Sequence, residues 1–489
     1  MSSGTNPLVF GRHAEVVKKQ LDGHEVSELS EASVWELLAE GRSVQLELSK
    51  RPVEERLEVI DRVGRLWKER LDSGKLDGSI DSLSRAAGYG RKLSLMEFSL
   101  VPFVLNGANI RRNLDASFPN LEGLVRFSRV APGEYCRYMP VGPVFIISSG
   151  NSLIPPLIPT VLSLATGNFT LLRPSMANYS AVADVFSLVG ELAGTSDTAR
   201  LMSQAIALSY FTHDSPTLRA LLSRGDLGLV NFWGGEPART TVGKLILENP
   251  FHPRYLVNGP MTGFVVVDGA SADGTVAQKL ATNIVLYDQQ LCSSPTQGAF
   301  IGRWEAAKAF AETLGEELAK VGSDYEMKMG EGAIFTLQSV RRILRFGGSE
   351  VYSSDDPRNM WTLVLSKKSS GLDDAVSSFP SFNLYNRKRF LEMVVVDTPA
   401  EALAQVEGLR FRKAFGGVDR VQTVGLAAKG PQKDELVEGL ASSGVYRVTP
   451  VADMYMRSSA EPFDGVNLAA ALTYTIHSRD VPVLPEGAS

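Results

Sequence analysis

The sequence predicts an α/β protein with two doubly wound domains. Three observations predict it. From Arg126 onward, short β-branched runs alternate with helical stretches, as in "VFIISS", "IPTVLSLATGN" and "FTLLRPS". The alternation starts afresh beyond Arg254 with "GFVVVDGA". The 489 residues are enough chain for two or three separate cores. Strands that alternate with helices make parallel sheets with right-handed crossovers.

The elements follow in order. The first 125 residues read mainly as helix. "VEERLEVIDRVGRLWKERLDSG" sets Leu57, Ile60, Val63, Leu66 and Trp67 at helical spacing, and Gly74 stops it. "VFIISS" is a buried strand, "IPTVLSLATGN" a helix ended by Gly167-Asn168, and "FTLLRPS" a strand ended by Pro174. "SAVADVFSLVGELAG" is a helix and "LGLVNFWGG" a strand. The second domain is predicted to start near Phe251. In it "DGTVAQKLATNIVLYDQQ" is one helix, with an apolar stripe through Val276, Leu280, Ile284 and Val285. "GAFIG", "FLEMVVVD", "VQTVGLAA" and "GVYRVTPVA" continue the alternation.

Composition excludes several classes. A net charge of −5 does not suit a nucleic-acid partner, since a phosphate backbone wants a basic face. Two cysteines make no disulfide framework, so a reducing, cytoplasmic setting is expected. "MSSGTNPLVFGRHAEVVKKQ" lacks the apolar core of a secretory signal. The most apolar run is broken by Asn151, Pro155, Pro156 and Pro159, so no membrane span is expected. None of His13, His24, His213, His252 and His477 stands at metal-ligand spacing, so no metal centre is expected. The chain has no G-x-S-x-G elbow, no G-x-G-x-x-G and no Walker sequence.

A few residues are placed to carry chemistry. A free cysteine is most often a small buried hydrophobe, and Cys136 in "GEYCRYMPVG" reads that way. Cys292 differs, lying in the polar turn "QQLCSSPTQ" between helix and strand, where a thiolate nucleophile could be presented. A Cys-His dyad with His213 or His252 stays open. Asn151 follows a strand end, where a side-chain amide can cap a turn or point into a cleft. Arg173 ends the next strand and could grip a phosphate. Gly234-Gly235 lies between strand and helix, where a backbone can approach a ligand.

The order of these segments is more specific than any one of them. "MPVGPVFIISSGNSLIPPLIPTVLSLATGNFTLLRPS", then "VNFWGGE", then "YDQQLCSSPTQGAFIG" resembles the aldehyde dehydrogenase superfamily from about residue 125 to the C-terminus. That superfamily shows P-x-G-V, an Asn shortly before Pro, G-N, K-P-S, a glycine turn and G-Q-x-C in this order. "DQQLCSSPTQ", "VQTVGL", "GVYRV" and "EPFDGVNL" are more closely similar to the bacterial acyl-CoA reductases of the luminescence type, which make fatty aldehydes. The resemblance implies an aldehyde dehydrogenase-like fold with a small oligomerisation element. Its parts are a helical N-terminal region over 1–125, a nucleotide-binding domain over 126–250 with a bridging hairpin near 126–140, a catalytic domain over 251–448, and a C-terminal oligomerisation segment over 449–489. Homodimers or homotetramers are implied.

The resemblance also assigns roles. Cys292 is the nucleophile and Asn151 the side-chain donor to the oxyanion. Arg173, Ser148, Gly234 and Gly235 hold the cofactor, with the glycine turn under its pyrophosphate, and Glu392 reaches the nicotinamide ribose. Three departures stand out. Gly243 comes late for the second glycine of the turn. "YLVNGP" puts Leu256 where hydrolytic members have a water-activating glutamate. The E-x-F-G-P motif is missing. The implied reaction is NADPH-dependent reduction of an acyl thioester, on coenzyme A or an acyl-carrier protein, to an aldehyde through S-acyl-Cys292. NADPH is expected because the planar fork of Arg173 suits a 2′-phosphate. An acyl-activating partner enzyme is implied too. An oxidising aldehyde dehydrogenase is the alternative, which Leu256 opposes. A non-catalytic scaffold is another, which Cys292 and Asn151 oppose. A helix running to Gln290 would aim its C-terminal dipole against a thiolate at Cys292.

Overall fold

The computed structural model describes residues 5–22 and 24–480. The chain forms two compact units. One contains the residues up to 87, 94–258 and those from 458 onward; the other contains 88–93 and 259–457.

In the first unit, β1 (Leu8–Val9), a hairpin of β2 (Val16–Leu21) and β3 (His24–Leu29), and a second hairpin of β4 (Ser128–Ala131) and β5 (Glu134–Pro140) precede the main strands. These are β6 (Val144–Ile147), β7 (Thr170–Arg173), β8 (Ile206–Leu208), β9 (Leu229–Trp233) and β10 (Arg254–Asn258). The sheet order is β1-β8-β7-β6-β9-β10, parallel except for β1. The chain leaves β6 toward β7 and β8 on one side and returns to β9 and β10 on the other. The order therefore reverses at β6, which makes the crevice beyond its carboxyl end the place for a ligand. Helices cover both faces, so β6 is apolar throughout. Val144 and Ile146 join one core, Phe145 and Ile147 the other, as the period of two requires.

Two boundaries are corrected here. The N-terminal 125 residues are mainly helical, but β1 to β3 come first. In β2 the sequence VVKKQL hides the strand, because that edge strand is largely exposed and carries lysines, while Val26 and Leu29 of β3 are fully buried. The units divide at Asn258/Gly259, not near 251, because β10 pairs along β9. The C-terminal segment joins the first unit from 458, not 449. Its last residues, 481–489, lie outside the described residues.

The second unit holds β11 (Met261–Asp268), β12 (Pro295–Ile301), β13 (Glu350–Ser353), β14 (Thr362–Lys367), β15 (Phe390–Val396), β16 (Arg420–Ala427) and β17 (Arg447–Pro450). They form a seven-stranded sheet, β13-β14-β15-β12-β11-β16-β17, with β13 an antiparallel edge. Phe264 and Val266 of β11 pack into one core, and Val265 and Val267 into the other. The register slips twice beside Gly263. Thr262 faces Val421 but Gly263 faces Thr423, so Gln422 is the extra residue of a bulge in β16. On the other side Gly263 faces Pro295 but Phe264 faces Gln297, which leaves Thr296 as the extra residue in β12.

A last strand, β18 (Thr473–Arg479), belongs to the first unit and runs antiparallel to β5 in a three-stranded sheet, β18-β5-β4. Among the described residues no single helix is long and apolar enough to cross a membrane.

Candidate active site

The loop that carries Cys292 is built from unusual backbone. The helix before it spans Gly274–Val285 only, ending short of the predicted Gln290. Tyr287, Asp288 and Gln289 then follow with φ of 56°, 48° and 68°. Left-handed backbone costs a non-glycine residue roughly 1–2 kcal/mol, so the surroundings must hold it. They do so through buried polar contacts. The Asp288 carboxylate accepts from Arg389 Nε at 2.9 Å and pairs with Lys388 at 3.6 Å. The Gln289 side chain imitates a strand: Nε2 donates to the Phe390 carbonyl at 2.7 Å, and Oε1 accepts from the Phe390 N–H at 2.6 Å. Gln290 Nε2 donates to the Arg387 carbonyl at 2.8 Å. The kink also turns the chain away from the helix axis, so the expected opposing helix end is not directly before Cys292.

Cys292 itself is exposed, whereas Ser293 to Ile301 are buried. Its loop closes with Ser294 N–H on the Leu291 carbonyl and docks through Gly263 N–H on the Ser294 carbonyl, both at 3.0 Å. Gln422, 3% exposed, points its Nε2 at Cys292 Sγ from 3.1 Å. Its Oε1 accepts from Thr423 Oγ1 at 3.3 Å. Sequence reading missed Gln422; the signal was the polar pair Gln-Thr inside the apolar strand "VQTVGL". Cys136 lies in β5 opposite Ser128, a strand position as expected.

Glu392 is a correction. It lies in mid-strand on β15, fully buried. Its carboxylate accepts from Gln297 Nε2 and Ser366 Oγ at 2.7 Å and from Gly371 N–H at 2.8 Å, with Ser370 as a further donor. Arg387 and Arg412 supply the compensating charge. A carboxylate so enclosed holds the interior of the second unit together and cannot reach a ribose.

In the first unit, Ser148, Asn151, Arg173, Gly234 and Gly235 gather at the carboxyl ends of β6, β7 and β9. Ser149 Oγ donates to Asn151 Oδ1 at 2.9 Å, which orients the amide with Nδ2 on the opposite side. The loop is fixed from below by Glu97, 1% exposed, which accepts from Leu153 N–H at 2.9 Å and from the Ser152 hydroxyl. This carboxylate sits at the N-terminus of helix Ile154–Ala165, where negative charge is favoured. Asn178 Nδ2 ties the carbonyls of Ser149 and Ser152, at 3.2 and 2.8 Å. Gly150 packs closely on Ser175, since a Cβ there would lie 2.5 Å from Ser175 Oγ and 2.9 Å from its Cβ. Sequence reading missed both Glu97 and Asn178.

Arg173 is buried rather than solvated. Nε donates to the Phe211 carbonyl at 2.9 Å, and the guanidinium lies 4.9 Å from the Tyr210 ring centroid. Burial lowers its pKa below the usual arginine value. Ser148 N–H joins the Arg173 carbonyl at 3.0 Å. The glycine turn departs from expectation. Gly234 N–H donates to the Asn258 carbonyl at 3.2 Å, so it is not aimed at an anion. The start of helix Ala238–Leu247 already holds a carboxylate, because Glu236 accepts from Thr240 N–H at 3.2 Å. Beneath the turn, Asn231 links Trp233, at 2.6 Å, to Asn258, at 2.8 Å, and Asn258 donates to Asp464 at 2.8 Å. Leu256 lies on β10 against the apolar core and brings no carboxylate.

The profile of the family described as acyl-CoA reductase (LuxC) matches residues 48–474. This chain belongs to that family. Among curated relatives, the long-chain acyl-protein thioester reductase of Vibrio harveyi is 24% identical over 310 residues, 62% of this chain and 61% of the relative. The long-chain acyl-protein thioester reductase 2 of Photobacterium leiognathi is 24% identical over 263 residues, 53% of this chain and 52% of the relative. The chain thus matches about half to three-fifths of the length of these relatives. Solved structures share the architecture. A salicylaldehyde dehydrogenase of Pseudomonas putida G7 superposes with a TM-score of 0.71 at 12% identity, covering 99% of this chain and 100% of that one. An NAD-dependent benzaldehyde dehydrogenase of Corynebacterium glutamicum gives 0.65 at 16%, covering 97% and 98%. The fold of this LuxC family member is therefore that of the aldehyde dehydrogenases. The family match takes in both the Asn151 and the Cys292 loops.

Proposed function

We propose that this chain reduces an acyl thioester, carried on coenzyme A or on a carrier protein, to the aldehyde, with Cys292 holding the acyl group in between. The observation that carries the reading is an exposed thiol on a rigidly clamped loop, with an amide donor on its sulfur, in a chain of the acyl-CoA reductase (LuxC) family. Cys292 Sγ attacks the thioester carbonyl, the carbon–sulfur bond to the carrier breaks, and the carrier thiol departs. The Asn151 amide, steadied by Ser149, is the proposed donor to the carbonyl oxygen. When bound, the reduced nicotinamide supplies hydride to the acyl carbon. Release of the aldehyde frees Sγ. Leu256 offers no carboxylate to activate water, so slow hydrolysis of the acyl-enzyme is the expected outcome.

The residues of the first unit suit a nicotinamide dinucleotide. Ser148 and Arg173 lie at the carboxyl ends of β6 and β7, at the crevice where strand order reverses. The pyrophosphate would not be held by the Gly234 N–H. The curated relatives are named as acting on acyl-protein thioesters, which favours a carrier-bound acyl donor, and an acyl-activating partner enzyme goes with that. NADPH is the proposed form, on the guanidinium of Arg173. Self-association, as a homodimer or homotetramer, is proposed through the β18-β5-β4 sheet, whose residues Val130, Tyr474 and Ile476 are exposed; light scattering after size exclusion tests it.

The test of the main reading is intact mass after incubation with acyl-coenzyme A or acyl-carrier protein and no nicotinamide. One acyl adduct on Cys292 is expected, absent in Cys292→Ala. An adduct on Cys136, or an active alanine variant, overturns it. Repeated turnover of aldehyde to free acid with NADP and no thiol would favour the oxidising alternative instead.

A further inference from the structure

We infer that Gln422 is a catalytic residue of this site: its side-chain amide holds Cys292 as a thiolate. The inference rests on the proposed role of Cys292 and adds the group that activates it. Gln422 Nε2 lies 3.1 Å from Sγ, within hydrogen-bond range for sulfur. Thr423 Oγ1 donates to Oε1 and the NH2 faces the sulfur; a threonine hydroxyl can serve either end of an amide, but a thiolate only accepts, so a charged Sγ selects this sense. A donor that meets the charged form better than the neutral one lowers the pKa of a thiol.

The fold goes out of its way to deliver this side chain. In a regular strand Gln422 would alternate with its neighbours, and β16 is otherwise buried and apolar from Val424 to Ala427. The bulge opposite Gly263 breaks that alternation at Gln422. The second bulge, at Thr296 on the other flank of Gly263, sets the start of β12 and with it the Cys292 loop. One glycine thus stands between the nucleophile and its donor, and both irregularities meet there.

The experiment is the pH dependence of Cys292 alkylation by iodoacetamide, followed by peptide mass, with Cys136 as internal reference. Gln422→Leu should move the midpoint upward by about one to two pH units, the size set by one hydrogen bond to a charged group. Gln422→Glu, nearly the same in shape, should move it further up, since a carboxylate repels the thiolate; it also serves if the leucine variant does not fold. Single-turnover acylation by acyl-coenzyme A should slow about ten-fold or more near neutral pH in both variants and recover as pH rises, which a packing defect would not do. A midpoint unchanged in a folded variant overturns the inference whatever the activity. Shifted midpoints together with an active Cys292→Ala variant would leave Gln422 as thiolate donor and sink the acyl-transfer reading instead.

Discussion

A Cβ on residue 263 would lie 2.2 Å from the carbonyl oxygen of Ser293 and 2.6 Å from that of Ser294. Both are backbone atoms, so nothing flexible can give way. Gly263→Ala should therefore push the Cys292 loop off β11 while leaving the sheet intact. A shift of about 1 Å at a nucleophile costs on the order of 100-fold in rate. The expected result is a far-UV spectrum like wild type and acylation of Cys292 slowed to that degree. Unaltered acylation would mean that the loop is seated by something other than this contact.

Glu97 makes a second prediction. Glu97→Ala leaves the Leu153 N–H and the Ser152 hydroxyl without their acceptor inside the protein. Such a loss costs about 1–3 kcal/mol, and the Asn151 loop is what it loosens. Chemical denaturation should show the drop, and turnover should fall with it. Glu97→Gln retains an acceptor oxygen and should recover much of both. A stable alanine variant with full turnover would remove Glu97 from the account.

Arg173 tests the cofactor. Arg173→Leu should raise KM for NADPH far more than for NADH. Arg173→Lys should behave in the same direction, because a lysine cannot keep the planar stacking on Tyr210. Equal losses with both nucleotides would show that the guanidinium does not sense a 2′-phosphate.

Glu28 ties the N-terminal hairpin to the loop after β8. Burial pushes its carboxyl pKa up, but the Thr212 N–H and the Ser215 hydroxyl outweigh this and hold it below the usual value. A carboxylate with a depressed folded pKa stabilises above its unfolded pKa, and that contribution is lost as pH falls through the folded one. Glu28→Gln should accordingly lower thermal stability at neutral pH and narrow toward wild type below about pH 4. Parallel melting curves at all pH values would contradict this.

The strands that frame both sheets were legible because burial on two faces writes them as short β-branched runs, β6 and β11 above all. The order of segments around Asn151 and Cys292 was legible as a family pattern. What escaped was whatever depends on contacts distant in sequence. The helix read through to Gln290 stops at Val285 because Asp288 and Gln289 find partners at Arg389 and Phe390, and no local periodicity reports them. Glu392 looked like a ligand contact for the same reason: the donors that enclose it come from three other segments. Gln422 was hidden by a bulge, which period-two reading cannot see.

The sulfur and the amide that addresses it are 130 residues apart, and the strand that receives Gln289 lies 101 residues beyond it. A ribosome adding about 5–20 residues per second needs roughly 7–26 s to go from Cys292 to Gln422. For that interval the cysteine is an ordinary thiol in a nascent chain, with neither its seat nor its donor yet made. The reactive group is thus armed by the last third of the polypeptide, and a truncated product that ends before β16 would carry the cysteine without the amide that addresses it.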